Sequence, residues 1–298
     1  MVSISVGHPV GQRHVARSIA TFLVLTFGVT WLLWMPVLRI ADAVHEPSRI
    51  PPPLALGGPV FLLGVFAPGL VALVLTGWEG GGHAVRGLLG RILRSRVGIR
   101  FYAFAFLLMP LTKLAVAVLH RALVGTWPPF GDTRPLVLVI ATILSTVGQA
   151  GEELGWRGYL LPRLAEWTGL ASASLIVGTI WAAWHLPLFF MPGADTAGRS
   201  FPLYVLQLMA YSVALAWLYW RTGGSLLLTM FMHAAFNNTK DIVPSGAAQN
   251  ASPFTLDATL VFRLTVLLLW IATALQLVQM SGVRRVGLAS DDDSLAAT

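Results

Sequence analysis

The stretch PLVLVIATILSTVGQAGEELGWRGY, residues 135–159, decides the fold. From Pro135 to Ala150 it is a long apolar run, and two adjacent carboxylates, Glu152 and Glu153, close it. Only 13 of the 298 residues are Asp or Glu, and three of those form Asp291-Asp292-Asp293. A carboxylate near membrane depth is expensive, so the pair reads as a functional site set in a membrane-spanning segment.

The rest of the chain agrees with that reading. Apolar residues make up 56% and charged residues 11%, whereas soluble domains carry about 25% charge. Backbone groups at bilayer depth must be satisfied within the segment, so the expected fold is all-α, a polytopic helical bundle. A β-barrel would need short segments of alternating polarity, which this chain lacks. There are no cysteines, which removes disulfides, thiolate catalysis and Cys-ligated metals together. The net charge of +7 is spread between hydrophobic spans, which fits lipid head groups as partners and argues against nucleic acid.

About eight spans can be drawn, at 18–37, 54–75, 101–119, from Pro135 through the glutamate pair, 170–190, 201–220, 225–238 (short, with a polar end) and 256–280. The membrane domain thus covers 18–280, between an amino-terminal cytoplasmic segment, 1–17, and a disordered tail, 281–298. Pro59 and Pro68 are expected to kink the second span, and Pro162 to stop the fourth near Leu161. The basic stretch Gly80 to Arg100 suits a helix lying in the interface. The first span is longer than a signal-peptide core and reads as a retained anchor, although Ala41-Asp42-Ala43 resembles a cleavage site. Basic residues on the amino-terminal side outnumber those in the opposite loops by twelve to six. That asymmetry predicts a multi-pass protein of the plasma membrane with both termini in the cytoplasm.

Three clusters could carry chemistry. Glu153 and Arg157 are four residues apart and can pair on one helix face. Glu152 lies about 100° away, on the stripe of Gln149, Trp156 and Tyr159, and is free to act as a general base. In the fifth span Trp181 and His185 share a face. In the seventh, His233 and Asn237 share one and are expected to point into a single cavity, where both could donate to an oxyanion. Each cluster alone has a bland reading, as an interfacial ion pair, a core histidine or interhelical glue.

Taken in order, the motifs Glu152-Glu153-x-x-x-Arg157, Trp181-x-x-x-His185 and His233-x-x-x-Asn237 resemble the CPBP intramembrane proteases, a family named for CAAX proteases and bacteriocin processing. The motifs cover roughly 135–238. Trp181 departs from the pattern, where Phe is usual. The resemblance implies an endopeptidase that acts on a peptide or membrane-protein substrate, with its site open to the cytoplasmic side. Glu152 would activate water with help from His185. His233 and Asn237 would hold the oxyanion, and Glu153 with Arg157 would form a supporting pair. Relatives are often labelled metal-dependent, and Glu152, His185 and His233 could ligate Zn2+ or another divalent ion. A metal-free glutamate mechanism is also argued for relatives. The rival functions are a non-catalytic scaffold or immunity protein of the same fold, and a transporter using the same Glu and His.

Overall fold

The computed structural model describes residues 9–43, 58–191, 193–250 and 252–284, with side chains in the first helix between His14 and Pro36. The Pro51-Pro52-Pro53 loop and the Asp-rich tail lie outside the described residues. Every regular element among the described residues is helical: α1 Pro9–Ala43, α2 Gly58–Gly90, α3 Ile99–Val124, α4 Pro135–Ser145, α5 Ala150–Glu153, α6 Leu161–Thr168, α7 Leu170–Trp184, α8 Phe201–Arg221, α9 Leu226–Thr239 and α10 Leu260–Gln279. Six helical spans are long and apolar enough to cross a membrane, the one at α7 running on through the turn Leu186–Phe190, and α4 with the bent run that follows it would make a seventh. The 14-residue α9 is shorter than a crossing. The outer surface is apolar, with Leu32, Leu144 and Val278 each more than two-thirds exposed, as a lipid-facing shell requires.

Three local departures matter for the site. The helix carrying the glutamates is bent by 45° after Ser145, and Leu154–Leu160 is a π-helical turn. Such turns mark functional sites in many helices. Pro162 does not stop the run. It sits in the first turn of α6, where a missing N–H costs nothing. The second span extends through the basic stretch, and its non-helical backbone is at Gly81 (φ 66°) rather than at either proline. Pro59 lies in the first turn of α2, and Pro68 lies within it. Residues 82–90 then continue as helix and Arg91–Leu93 as a short turn, while 94–98 are not helical, so the basic segment is helical only in its first half.

Close backbone contacts set the depth of the pair. A Cβ on Gly151 would come within 2.9 Å of Phe66 Cα, and one on Gly178 within 2.6 Å of Met209 Cα. Small residues there let α5 approach α2, and α7 approach α8, as membrane helices do without a hydrophobic drive between them. Side-chain hydrogen bonds add ties. Thr30 Oγ1 donates to the Gly64 carbonyl at 2.9 Å, and Trp34 Nε1 to the Phe61 carbonyl at 3.1 Å. The ammonium of Lys113, buried in α3, donates to Ser245 Oγ (2.8 Å) and Thr265 Oγ1 (3.2 Å). Ser225 caps α9 by accepting from Leu228 N, while its own hydroxyl donates to the Arg94 carbonyl.

Two ends of the bundle follow. The segments around residues 79–94, 159–170, 219–226 and 283 meet at one, through Arg163 and Glu79, Arg91 and Tyr219, Arg94 and Gly223, and Leu170 N on the Val283 carbonyl. The loops 125–134, 186–200 and 240–259 meet at the other, through Gly131 N on the Ile242 carbonyl and Phe201 N on the Pro253 carbonyl.

Candidate active site

The two glutamates sit on the last turn of α5 and are both buried. Their surroundings differ as their 100° separation predicts. Glu153 Oε1 accepts from Arg157 Nη1 at 2.9 Å, and His233 Nδ1 lies 2.9 Å from the same oxygen. Glu153 and Arg157 are both fully buried. A charge in such a place survives only when paired, so this ion pair is a structural requirement of the site.

Glu152 makes a different bond. Its Oε2 accepts from the indole N–H of Trp181 at 2.6 Å. Its other oxygen, Oε1, makes no hydrogen bond among the described residues and is not among the sealed, unpartnered polar atoms. One face of the carboxyl is therefore pinned and the other is open.

Trp181 is the hub of the site. Its ring lies 4.4 Å from the Arg157 guanidinium carbon, which adds a cation–π contact. The ring centroid is 5.1 Å from that of His233, 5.9 Å from that of His185 and 6.1 Å from that of Tyr211. Tyr211 is itself fixed by donating to the Met232 carbonyl at 2.7 Å.

His185 caps the end of α7. Its Nδ1 lies 2.8 Å from the Trp181 carbonyl. A carbonyl only accepts, so Nδ1 carries the proton and Nε2 of the neutral ring presents a lone pair. Trp184 and Tyr204 pack edge-on to the imidazole, with centroids at 4.7 and 5.7 Å.

Asn237 departs from expectation. It is exposed, one turn beyond His233, and lines a cavity of about 220 Å³ with Thr133, Ala141 and Asp241. The side-chain contacts fall to its neighbour: Asn238 Nδ2 donates to Ser145 Oγ (2.9 Å) and to the Ala234 carbonyl (2.8 Å). The shared cavity expected for His233 and Asn237 is not formed, because the bend after Ser145 puts α5 against one turn of α9 and α4 against the next. Sequence spacing also gave no sign of Asn238, Tyr211 or the Trp181 donor.

Glu152, His185 and His233 do not assemble as a metal-holding group; no cluster of three His, Cys, Asp or Glu side chains with that arrangement occurs among the described residues. His233 turns its Nδ1 to Glu153, and an indole occupies one oxygen of Glu152.

By helix rise Glu152 is roughly 16 Å from Arg163, and His185 roughly 22 Å from Leu170, which puts the site at mid-depth. At the end opposite the arginine-rich one Asp195 pairs with Lys240. Burial pushes the Asp195 carboxyl up, but the neighbouring ammonium outweighs it and holds the group below its ordinary value.

Residues 133–239 match the family model of the type II CAAX prenyl endopeptidase Rce1-like proteins. Over that span the chain is similar to the CPBP intramembrane proteases. The matched span starts just before α4 and ends with α9, so it contains every motif residue described above. A curated relative, the "CAAX prenyl protease 2" of Methanococcus maripaludis, is 22% identical over 235 residues, which cover 74% of this chain and 83% of that protein. Both matches carry the name of a peptidase, so the likeness is to an enzyme.

Proposed function

We propose that this chain is an intramembrane protease of the CPBP kind, which hydrolyses a peptide bond at mid-membrane depth by water that Glu152 activates, without a metal. The carrying observation is the division of labour between the two carboxylates. Glu153 Oε1 is taken by Arg157 and His233 and its Oε2 is sealed in the interior, whereas Glu152 is held by one indole N–H and keeps Oε1 open. A water between Glu152 Oε1 and His185 Nε2 would lose its proton to the carboxylate as its oxygen attacks the substrate carbonyl. The C–N bond then breaks as Glu152 returns that proton to the leaving amine.

The developing oxyanion needs donors in a dry site. His233 supplies one from Nε2 when its ring carries both protons, with Glu153 as the adjacent counter-charge. By likeness to relatives named as CAAX prenyl proteases, the substrate class is a prenylated carboxy-terminal peptide, with lipid as the surrounding partner.

The test is cleavage of a farnesylated CAAX reporter peptide by the purified chain in proteoliposomes. Glu152→Gln should lower the rate about 10²–10⁴-fold, the contribution of a positioned base. Equal rates for wild type and Glu152→Gln would overturn the reading. No turnover by wild type, with Glu152→Gln indistinguishable in membrane proteomes, would favour a non-catalytic member of the fold.

A further inference from the structure

The arginine-rich end contains a second cavity, of about 550 Å³, that the peptidase chemistry does not use. It lies between the last turns of α2, the short turn Arg91–Leu93 and α6, and His83, Arg91, Arg94 and Arg163 line it. Gly87 and Gly90 form part of its wall, and a Cβ on either would meet nothing within 4 Å. The space is therefore open down to the backbone of α2.

The arginines are held in place with donors to spare. Arg91 Nη1 donates to Tyr219 Oη at 2.7 Å, and Arg94 Nη1 donates to the Gly223 carbonyl. Each guanidinium has five N–H donors, so these contacts orient both groups without exhausting them. The neighbouring carboxylate, Glu79, is engaged by Arg163 and by the Tyr159 hydroxyl. Positive charge in the cavity is thus only partly balanced.

Depth selects the ligand. Trp78, one residue before Glu79, is 85% exposed, and Leu93 and Ile99 are 80% and 82% exposed. Tryptophan favours the membrane–water boundary, and bare leucine and isoleucine side chains beside it are suited to acyl chains. A guanidinium-lined cavity at headgroup level, flanked by apolar side chains, matches a molecule with a phosphate at one end and hydrocarbon at the other.

We infer that this cavity binds the headgroup phosphate of an anionic phospholipid, with Arg91 and Arg94 as its main donors. Guanidinium forks match phosphate oxygens two at a time. Positive-inside orientation places the cavity in the leaflet that carries anionic lipid. The inference does not depend on the peptidase reading.

Native mass spectrometry of the full chain in detergent, titrated with phosphatidylglycerol or phosphatidylcholine, tests it. One phosphatidylglycerol should bind with a Kd at least tenfold below that of phosphatidylcholine. Arg91→Gln combined with Arg94→Gln should weaken phosphatidylglycerol roughly 30-fold, from about fivefold per basic residue near the surface. Because those arginines also brace Tyr219 and Gly223, Gly87→Asp supplies an independent arm. It places a carboxylate in the cavity from a Cβ with nothing within 4 Å, leaves both arginines in the sequence, and should erase the preference in a protein that melts as wild type does. Arg100→Gln removes the same charge outside the cavity and should leave the preference intact. Equal affinity for the two lipids, or a preference that survives Gly87→Asp, would overturn the inference. So would inorganic phosphate at millimolar concentration displacing the lipid completely, since that marks a free-anion site.

Discussion

Replacing Trp181 by Phe isolates one atom pair. The smaller aromatic ring keeps a face for Tyr211, Arg157 and His233, and it loses the N–H that reaches Glu152 Oε2 at 2.6 Å. A hydrogen bond to a charged group contributes about 1.5–3 kcal/mol net. If that bond holds the carboxyl in its reactive orientation, the whole amount appears in the barrier, and 1.36 kcal/mol is tenfold in rate. The expected loss in kcat is therefore about 10- to 150-fold, with KM for the reporter peptide changed by less than about threefold. Adding Trp181→Phe to Glu152→Gln should cost little more than Glu152→Gln alone, because the two residues act as one unit. Melting temperature, read in parallel, separates this from a general loosening of the core. A Trp181→Phe enzyme within threefold of wild-type kcat would refute the reasoning. It would also show that the Phe usual at this position in the family serves equally well, and that the indole is only filling space.

Four further outcomes are expected. Arg157→Met should destabilise the protein by about 3–5 kcal/mol by stranding a buried carboxylate, and adding Glu153→Gln should recover much of this in thermal melts; simple additivity would contradict the pairing. Activity should survive exhaustive chelation, with substoichiometric metal in the active preparation, whereas a stoichiometric ion lost together with activity would overturn the metal-free reading. The natural absence of cysteine makes topology directly readable: an impermeant maleimide on intact cells should label Ser252→Cys and not Arg86→Cys, and the reverse pattern would invert the orientation. Gly178→Leu should push α7 from α8 and cost about 1–3 kcal/mol by overpacking, so an unchanged melting temperature would show that the helices do not touch as described.

The parts that could be read from residues alone were those governed by helical period. Glu153 with Arg157, and Trp181 with His185, follow from four-residue spacing, and the long apolar runs follow from bilayer thickness. What escaped depends on breaks in that period. Pro162 looked like a stop because proline ends helices from within, yet it begins a new segment here. The prolines of the second span drew attention from Gly81, whose positive φ makes the actual break. His233 and Asn237 share a face, but which neighbour each one meets is set by the 45° bend upstream. The Trp181 donor follows from no spacing rule, since the indole N–H meets Glu152 between two helices, from 29 residues away in the chain.

The π-helical turn Leu154–Leu160 has a consequence for how the two ends of the molecule answer to each other. Upstream of it, the helix takes its rotational setting from Trp181 and His233; downstream, from Glu79 and the start of α7. An unbroken α-helix has one phase and could not satisfy both. The surplus residue acts as a phase shifter, letting the glutamate pair and the arginine-rich end be tuned separately on one continuous rod. Deleting a single residue from this turn would restore one phase and swing everything beyond it by about 100°. Length at this point, more than the identity of any side chain in it, is what the fold cannot give up.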